Sequence, residues 1–243
     1  RSMTPVPFFL LALLWLAHGL VDRLGLSEER ARTTGSMALW AAHGFQIALL
    51  GAGLLLFGLT RLRFSSQPMP PTVAELVLLA VAFGIFHLSI DLAQRRLYGP
   101  AQPPPLSDAM DQLAHLGLTI GLIWALSQRH PEWSQLGSGP ILVLGQPAGL
   151  SSFARYLVFA GLLVWIVGEI VRTRLAPRAQ AALAAERTLI AALVLAGPLW
   201  LAGLLLVGRF GWMRWRREPA AQGIPSLCLL LMAASFRGLI TTG

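Results

Sequence analysis

Residues 78–96, LLAVAFGIFHLSIDLAQRR, decide the class of fold. The stretch is apolar enough to lie in lipid, yet it carries His87 and Asp91 near its end. A spanning helix needs about 20 mostly apolar residues, and ionisable side chains inside such a helix are costly and usually functional. The stretch therefore predicts a transmembrane helix that carries a polar functional site.

The whole chain has the same apolar character. Of its 243 residues, 55% are hydrophobic and 12% are charged, a balance too apolar for a soluble domain of this length. We predict an all-α, polytopic membrane bundle of about seven transmembrane helices. The predicted spans are roughly 5–22, 37–60, 72–95, 109–128, 153–174, 187–208 and 222–240.

The connections between these runs are too short for a soluble domain. We therefore predict a single transmembrane domain over 1–243, with a motif-bearing four-helix part at 1–128 and a three-helix part at 153–243. The apolar stretch 140–150 is too short to span the bilayer. It is predicted to be an ordered surface loop, with an interfacial or re-entrant segment as the alternative.

The charged residues indicate a membrane surface as the partner. All 19 basic residues are arginine, and with 11 acidic residues the net charge is +8. The arginines lie at helix ends, where they anchor a bundle among lipid headgroups. This placement argues against nucleic-acid binding, predicts membrane lipid as a partner, and leaves a membrane protein or a second copy of the chain as further candidates.

Three pairs of ionisable residues share a spacing of four. His18 with Asp22, His87 with Asp91, and Asp111 with His115 each lie on one helix face, a single turn apart. With alternating topology, the three pairs and His43 come to the same side of the membrane. Glu186 and Arg237 are predicted on that side too, and Glu75 on the other.

Histidine and aspartate in this arrangement are typical metal ligands. We predict that the ion is divalent, with zinc or a two-metal centre as candidates. The predicted ligands are His18, Asp22, His87, Asp91, Asp111 and His115. His43 is predicted as a further ligand or an acid/base catalyst, and Glu186 and Arg237 as residues that position an anionic headgroup. The alternative for each pair is interhelical hydrogen bonding, worth about 1 kcal/mol per contact.

The first two helical hairpins resemble each other. In each, a His-x-x-x-Asp motif ends one helix and a histidine, His43 or His115, lies early in the next. This pattern predicts a tandem hairpin repeat with the site at the repeat interface.

The same motifs resemble a bacterial family of integral-membrane proteins that is classified as a domain of unknown function. The motifs are His18-x-x-x-Asp22, His43, His87-x-x-x-Asp91 and Asp111-Gln112-x-x-His115. The family's Glu-Arg at the start of a late helix is matched by Glu186-Arg187, and its apolar C-terminal helix by 225–240. The resemblance covers most of the chain and implies a location in the bacterial inner membrane.

Two positions depart from the family pattern. AQAALAA at 179–185 stands where the family has a glycine-rich approach to Glu-Arg, and Gly197-Pro198 stands where it has glycine followed by glutamine. A role for the sixth predicted helix is therefore the least supported part of the resemblance.

These features lead to one functional hypothesis and two alternatives. The leading hypothesis is a metal-dependent integral-membrane hydrolase that acts on a lipid or lipid-linked substrate at one face. The first alternative is a small transporter or proton-coupled carrier that uses the same His/Asp residues, which requires polar residues to continue towards the other face. The second is an accessory or structural subunit of a larger membrane complex.

Overall fold

The computed structural model describes residues 5–24, 37–61, 63–64, 72–98, 105–131, 140–143, 146–172, 177–196, 199–216 and 223–241. These residues form eight helices and three short strands. The helices are α1 (Pro5–Leu24), α2 (Met37–Arg61), α3 (Val73–Tyr98), α4 (Pro105–Arg129), α5 (Leu150–Arg172), α6 (Pro177–Ala196), α7 (Leu199–Arg216) and α8 (Ile224–Thr241). The strands are β1 (Arg63–Phe64), β2 (Pro140–Val143) and β3 (Gln146–Gly149). The predicted helical architecture is confirmed for the body of the protein.

The first four helices are long and apolar enough to cross a membrane. Their apolar windows are Val6–Arg23, Met37–Leu56, Val73–Tyr98 and Ala109–Arg129. Four helices of this length and composition indicate a membrane protein, and they coincide with the first four predicted spans. The count of seven spans and the tandem hairpin repeat stay predictions.

The single helix predicted over 187–208 is wrong. Helix α6 ends at Ala196 and α7 begins at Leu199, with Gly197 and Pro198 between them. Proline lacks a backbone N–H and disfavours helical geometry in the preceding residue, so one helix cannot continue through this point without a break. Arg209 Nε lies 3.5 Å from Glu186 Oε2, which shows that α7 folds back along α6.

The surface loop predicted at 140–150 contains a β-hairpin. Strands β2 and β3 pair antiparallel, with Val143 opposite Gln146, and β1 pairs with β2, with Arg63 opposite Leu142. The hairpin of β2 and β3 lies within the predicted loop, whereas the pairing of β1 with β2 joins distant segments, which local sequence does not show. Since β1 follows α2 and β2 follows α4, their pairing places the ends of these two helices on the same side.

Helix α1 forms the centre of the bundle. Its window Val6–Arg23 is 83% buried, compared with at most 39% for the windows of α2, α3 and α4. It packs on α2, α4 and α5. A Cβ atom at Gly161 of α5 would lie 2.9 Å from Trp15 Cδ1 of α1, so this contact needs glycine. The four-helix part and the C-terminal helices thus share one core, and the division at 128 and 153 stays an interpretation.

A second close contact joins α2 to α3 next to the polar site. A Cβ atom at Gly84 would lie 2.5 Å from the carbonyl oxygen of Gly44 and 2.8 Å from Ala48 Cβ. Only glycine lets two helix backbones approach this closely. The contact sets the separation of the two helices that carry His43 and His87.

We predict that Gly84→Ala destabilises the protein by about 1–3 kcal/mol, because the new methyl group overpacks the contact with α2. The measurement is unfolding in mixed detergent followed by circular dichroism. Gly53→Ala is the matched control, since nothing lies within 4 Å of a Cβ at Gly53. Equal stability of the two variants would contradict the described packing of α2 on α3.

Candidate metal centre

Polar side chains from four helices meet inside the apolar bundle. The buried members are His18 and Asp22 of α1, His43 of α2, His87 and Asp91 of α3, and Gln112 and His115 of α4. Each is at most 5% exposed. Asp111 lies beside them and is partly buried. The structure therefore brings together the six predicted metal ligands and His43.

Three ligand atoms form a triangle between α2 and α3. His43 Nε2 lies 2.9 Å from His87 Nε2, His87 Nε2 lies 3.0 Å from Asp91 Oδ2, and His43 Nε2 lies 3.5 Å from the same oxygen. At a Zn–N distance of 2.0–2.1 Å, tetrahedral ligand atoms are separated by about 3.3 Å. The triangle therefore has the dimensions of ligands around a single ion.

Helix α4 adds a third histidine to this group. His115 Nε2 lies 3.6 Å from Asp91 Oδ1, and its ring centroid lies 4.2 Å from that of His87. The other ring nitrogen, Nδ1, lies 2.9 Å from the carbonyl oxygen of Asp111 and 3.5 Å from its carboxylate. A ligating histidine usually donates its second N–H to such an oxygen, which fixes the orientation of the ring.

Gln112 orders the remaining part of the cluster. Its side-chain nitrogen donates to Asp22 Oδ2 and Asp111 Oδ2, both at 3.3 Å. Its oxygen, 3.0 Å from His18 Nε2, therefore accepts a hydrogen from that ring nitrogen. His18 Nδ1 then carries the lone pair, so Gln112 determines the tautomer of His18.

Several buried polar atoms in the cluster have no hydrogen-bond partner among the residues that the structure describes. They are His18 Nδ1, His87 Nδ1, Asp91 Oδ2, Asp111 Oδ1 and His115 Nε2. Leaving such an atom unpaired costs about 1–3 kcal/mol. A bound cation satisfies carboxylate oxygens and imidazole nitrogens together, and His87, Asp91 and His115 form a group that could hold one.

Two groups of side chains in the described ranges could hold a metal ion. One consists of Asp22, His43 and His87, and the other of His87, Asp91 and His115, with all ligand atoms of a group within 4.8 Å of one another. Together they offer three imidazoles and two carboxylates, whose negative charge a divalent ion can offset. Charge cancellation matters here because isolated charge in an apolar interior is expensive.

The groups differ from the predicted ligand set in detail. His43 belongs to one of them, whereas His18 and Asp111 belong to neither. His18 stacks on His115 with ring centroids 4.8 Å apart, and Asp111 faces the outer nitrogen of His115. The structure thus puts His18 and Asp111 next to the potential ligands.

Glu186 and Arg237 have described contacts outside the cluster. Glu186 accepts a hydrogen bond from Ser226 Oγ at 3.1 Å, and Arg237 Nη1 donates to the carbonyl oxygen of Val194 at 3.3 Å. Glu186 and Val194 are eight residues apart on α6, which is about 12 Å along the helix. Because α7 folds back along α6, α8 runs in the same direction as α6, and Arg237 therefore lies away from Glu186.

An ion-pair chain that the site prediction omitted connects the cluster to α5 and α6. Arg23 Nε lies 3.1 Å from Asp22 Oδ2, and Arg23 Nη1 donates to Glu169 Oε1 at 2.8 Å. Arg187 Nη1 lies 3.9 Å from Glu169 Oε2. Both guanidinium groups lie over the Trp165 ring, at 5.4 and 5.9 Å from its centroid. In the sequence, the only indication of this ion-pair chain was Asp22 followed by Arg23 at a helix end. The same two residues are also typical of an anchor at the membrane interface.

The fifth histidine lies apart from the cluster. His130, at the end of α4, contacts Glu75 at the start of α3, with 3.1 Å between Nε2 and Oε1. Glu75 also accepts hydrogen bonds from the backbone and hydroxyl of Thr72, which form a capping box. Since α3 begins there and ends near Asp91, His130 and Glu75 lie at the opposite side, where Glu75 was predicted.

The chain matches no protein-family model, no curated protein and no solved structure. The resemblance to the bacterial membrane family therefore stays an interpretation of the motifs, and function is argued from the geometry of the site.

We predict that Arg23→Met destabilises the protein by about 3–5 kcal/mol, because it removes the cation that pairs with the buried Asp22 and the partly buried Glu169. The double substitution Arg23→Met with Glu169→Leu should recover part of this loss, since it removes both charges. Unfolding in mixed detergent measures both effects. Arg96→Met, at an exposed position of α3, is the control. No difference between Arg23→Met and Arg96→Met would rule out a structural role for the ion-pair chain.

Proposed function

We propose that the protein is a metal-dependent integral-membrane hydrolase that acts on a lipid or lipid-linked substrate at one face of the bacterial inner membrane. The observation that carries the proposal is the convergence of His43, His87, Asp91 and His115 from three helices, with Asp22 from a fourth. Zinc is the proposed ion, because three imidazoles with carboxylates are a donor set that zinc binds well.

The potential ligand residues are positioned by close helix packing and by contacts with neighbouring side chains. His43 and His87 flank the Gly44–Gly84 contact, where α2 and α3 pack closely against each other. Asp22 is held by Gln112 and Arg23, and His115 by Asp111. Such outer contacts orient ligands and raise metal affinity. When bound, a divalent ion would polarise a carbonyl or phosphoryl oxygen and activate water at this position.

His18 is the proposed proton acceptor. Gln112 holds its Nε2 hydrogen, so the buried Nδ1 carries a lone pair and has no hydrogen-bond partner among the described residues. Its ring lies 4.9 Å from His87 and 4.8 Å from His115, centroid to centroid. A base this close to the ligands could take a proton from water during hydrolysis.

The position of the His/Asp cluster along the helices supports a reaction at one face of the membrane. His43 lies six residues after the start of α2 and His115 ten after the start of α4, which corresponds to about 9 and 15 Å along the helices. One to two turns further in, the buried side chains that the structure describes are apolar apart from Thr119, among them Leu14, Ile47 and Ile123. Thr119, the buried polar residue beyond His115, donates to the main chain of its own helix. A carrier needs polar groups along its path, so this arrangement favours an enzyme over a carrier.

We predict that the purified protein retains about one divalent ion per chain after gel filtration, as measured by plasma mass spectrometry on protein without a histidine tag. His87→Ala and Asp91→Ala should each lose at least nine tenths of it, since ligand removal typically weakens affinity by far more than tenfold. His130→Ala is the control, because His130 contacts Glu75 away from the cluster. Metal content equal in all four proteins, or none in any, would refute the metal site.

We predict that His18→Ala keeps its metal but lowers lipid hydrolysis by about 10²–10⁴-fold, as expected when an acid/base group is removed. Fatty acid or phosphate released from phospholipid micelles, quantified by mass spectrometry, gives the rate. If His18→Ala loses metal as completely as His87→Ala, His18 is a ligand and its role as proton acceptor is wrong. If the metal-loaded parent releases no product from any phospholipid, the hydrolase proposal fails while the metal site stands.

A further inference from the structure

Ion pairs connect four helices at one level of the bundle, on the side of the His/Asp cluster. Arg23 Nη1 of α1 lies 2.8 Å from Glu169 Oε1 of α5, and Arg187 Nη1 of α6 lies 3.9 Å from Glu169 Oε2. Glu186, the residue before Arg187, contacts Arg209 of α7 at 3.5 Å. These five residues form what we call the ion-pair level.

Helices α1 and α5 extend far from the ion-pair level. Pro5 begins α1 18 residues before Arg23, and Leu150 begins α5 19 residues before Glu169. These lengths correspond to about 27 and 29 Å. The hydrocarbon core of a bilayer is about 30 Å thick, so both helices are long enough to cross it from this level.

Helices α6 and α7 extend only about half as far. Ala196 ends α6 nine residues after Arg187, and Leu199 begins α7 ten residues before Arg209. The corresponding lengths are about 14 and 15 Å. A helical pair of this length reaches the middle of the hydrocarbon core and does not reach its opposite side.

Contacts of α8 show that α6 runs from the ion-pair level into the bundle. Arg237 Nη1 of α8 donates to the carbonyl oxygen of Val194 at 3.3 Å. Phe236, the residue before Arg237, packs edge-on against Trp15 of α1, with ring centroids 5.6 Å apart. Trp15 precedes Arg23 by eight residues, which is about 12 Å along α1. The end of α6 therefore lies near the depth of Trp15, within the apolar part of the protein.

The outer surface of α6 and α7 beyond the ion-pair level is apolar. Every residue at 189–196 and 199–208 is apolar. Trp200, Leu204 and Val207 are 67%, 59% and 69% exposed. A continuous exposed apolar surface of this kind fits lipid acyl chains better than water.

A turn between helices at this depth needs partners for its backbone, because the last carbonyl groups of a helix have no intrahelical donor. In a continuing helix, the carbonyl oxygen of Val194 would pair with the N–H of residue 198, but Pro198 has none. Arg237 donates to this oxygen instead. Its positive charge is also favourable at the negative end of the α6 dipole. Irregular backbone is tolerated at membrane depth where protein groups satisfy it in this way.

We propose that α6 and α7 form a re-entrant hairpin, which enters the bilayer from the face of the His/Asp cluster and turns near the bilayer centre. Arg237 caps the end of α6, and acyl chains of the opposite leaflet are the partner that covers the turn. The apolar run predicted as one span over 187–208 is thus a segment that returns to the face from which it entered. This proposal does not rest on the hydrolase activity.

The test is spin labelling of the full chain in phosphatidylcholine vesicles. The depth of a nitroxide is taken from the ratio of its accessibility to oxygen and to a water-soluble nickel chelate. Single cysteines are introduced into Cys228→Ala, which removes the only native cysteine. Ala196→Cys reports on the end of α6. Gly211→Cys on α7 and Gln128→Cys at the far end of α4, both at exposed positions, are the references for the two faces.

The ratio at Ala196 should exceed that at both references about tenfold, because the polar chelate is excluded from the hydrocarbon core. A ratio at Ala196 equal to that at Gln128 would mean that the two helices cross the whole bilayer. A ratio equal to that at Gly211 would mean that they lie outside it. Either result would overturn the proposal.

A second substitution tests the cap. Arg237→Met should lower the ratio at Ala196 about fivefold, since the carbonyl group of Val194 then needs water as its partner. Arg155→Met, at an exposed position of α5, is the control. An unchanged ratio at Gly211 in the Arg237 variant shows that the fold is retained. Equal ratios at Ala196 in the Arg237 and Arg155 variants would refute the cap.

Neither measurement requires bound metal or enzyme activity. The hairpin can therefore fail while the His/Asp cluster stands, and an inactive or metal-free protein can still show it.

Discussion

The cost of burying polar side chains in an apolar bundle is the constraint on which the rest of the structure depends. His18, Asp22, His43, His87, Asp91, Gln112 and His115 are all nearly inaccessible to solvent. An unpaired polar group in such surroundings costs free energy, so each must find a partner on another helix or bind an ion. The hydrogen bonds of Gln112 and the ion pairs of Arg23 provide some of these partners. Among the described residues, His43, His87, Asp91 and His115, with Asp22, could instead hold a metal ion.

The packing follows from this requirement. Helix α1 lies at the centre because its apolar surface extends all around it and its three polar residues need partners on several sides. Glycines at the α2–α3 and α1–α5 contacts bring the neighbouring helices close enough for short side chains to meet. The ion pair of Arg23 with Glu169 then connects the cluster to the C-terminal helices.

The sequence alone predicted the membrane class and the cluster, for physical reasons. Runs of apolar residues determine where helices can cross a bilayer, and a spacing of four places His87 and Asp91 on one face. The contact of His43 with His87, by contrast, depends on the approach of two helices, which the sequence indicates only through their glycines. The bridging role of Gln112 could have been found, because it lies three residues before His115 and so shares its face.

Three other features were not predicted from the sequence. Gly197-Pro198 lies within an apolar run, so hydropathy predicted one helix across it. Proline at 198 indicated a break, because it cannot donate a backbone hydrogen bond. The sheet of β1, β2 and β3 joins residues far apart in the chain. Glu169 gave no sign of its partner, because an acid near a helix end is usually an exposed residue.

X-ray absorption spectroscopy of the zinc-loaded protein tests the central claim most directly. If the ion lies in the His/Asp cluster, the spectrum should show four or five nitrogen and oxygen neighbours at about 2.0–2.2 Å, with the multiple scattering that imidazole rings produce. His87→Ala should reduce the imidazole contribution. A spectrum with oxygen neighbours only, unchanged in His87→Ala, would contradict the account, because it would place the ion outside the cluster.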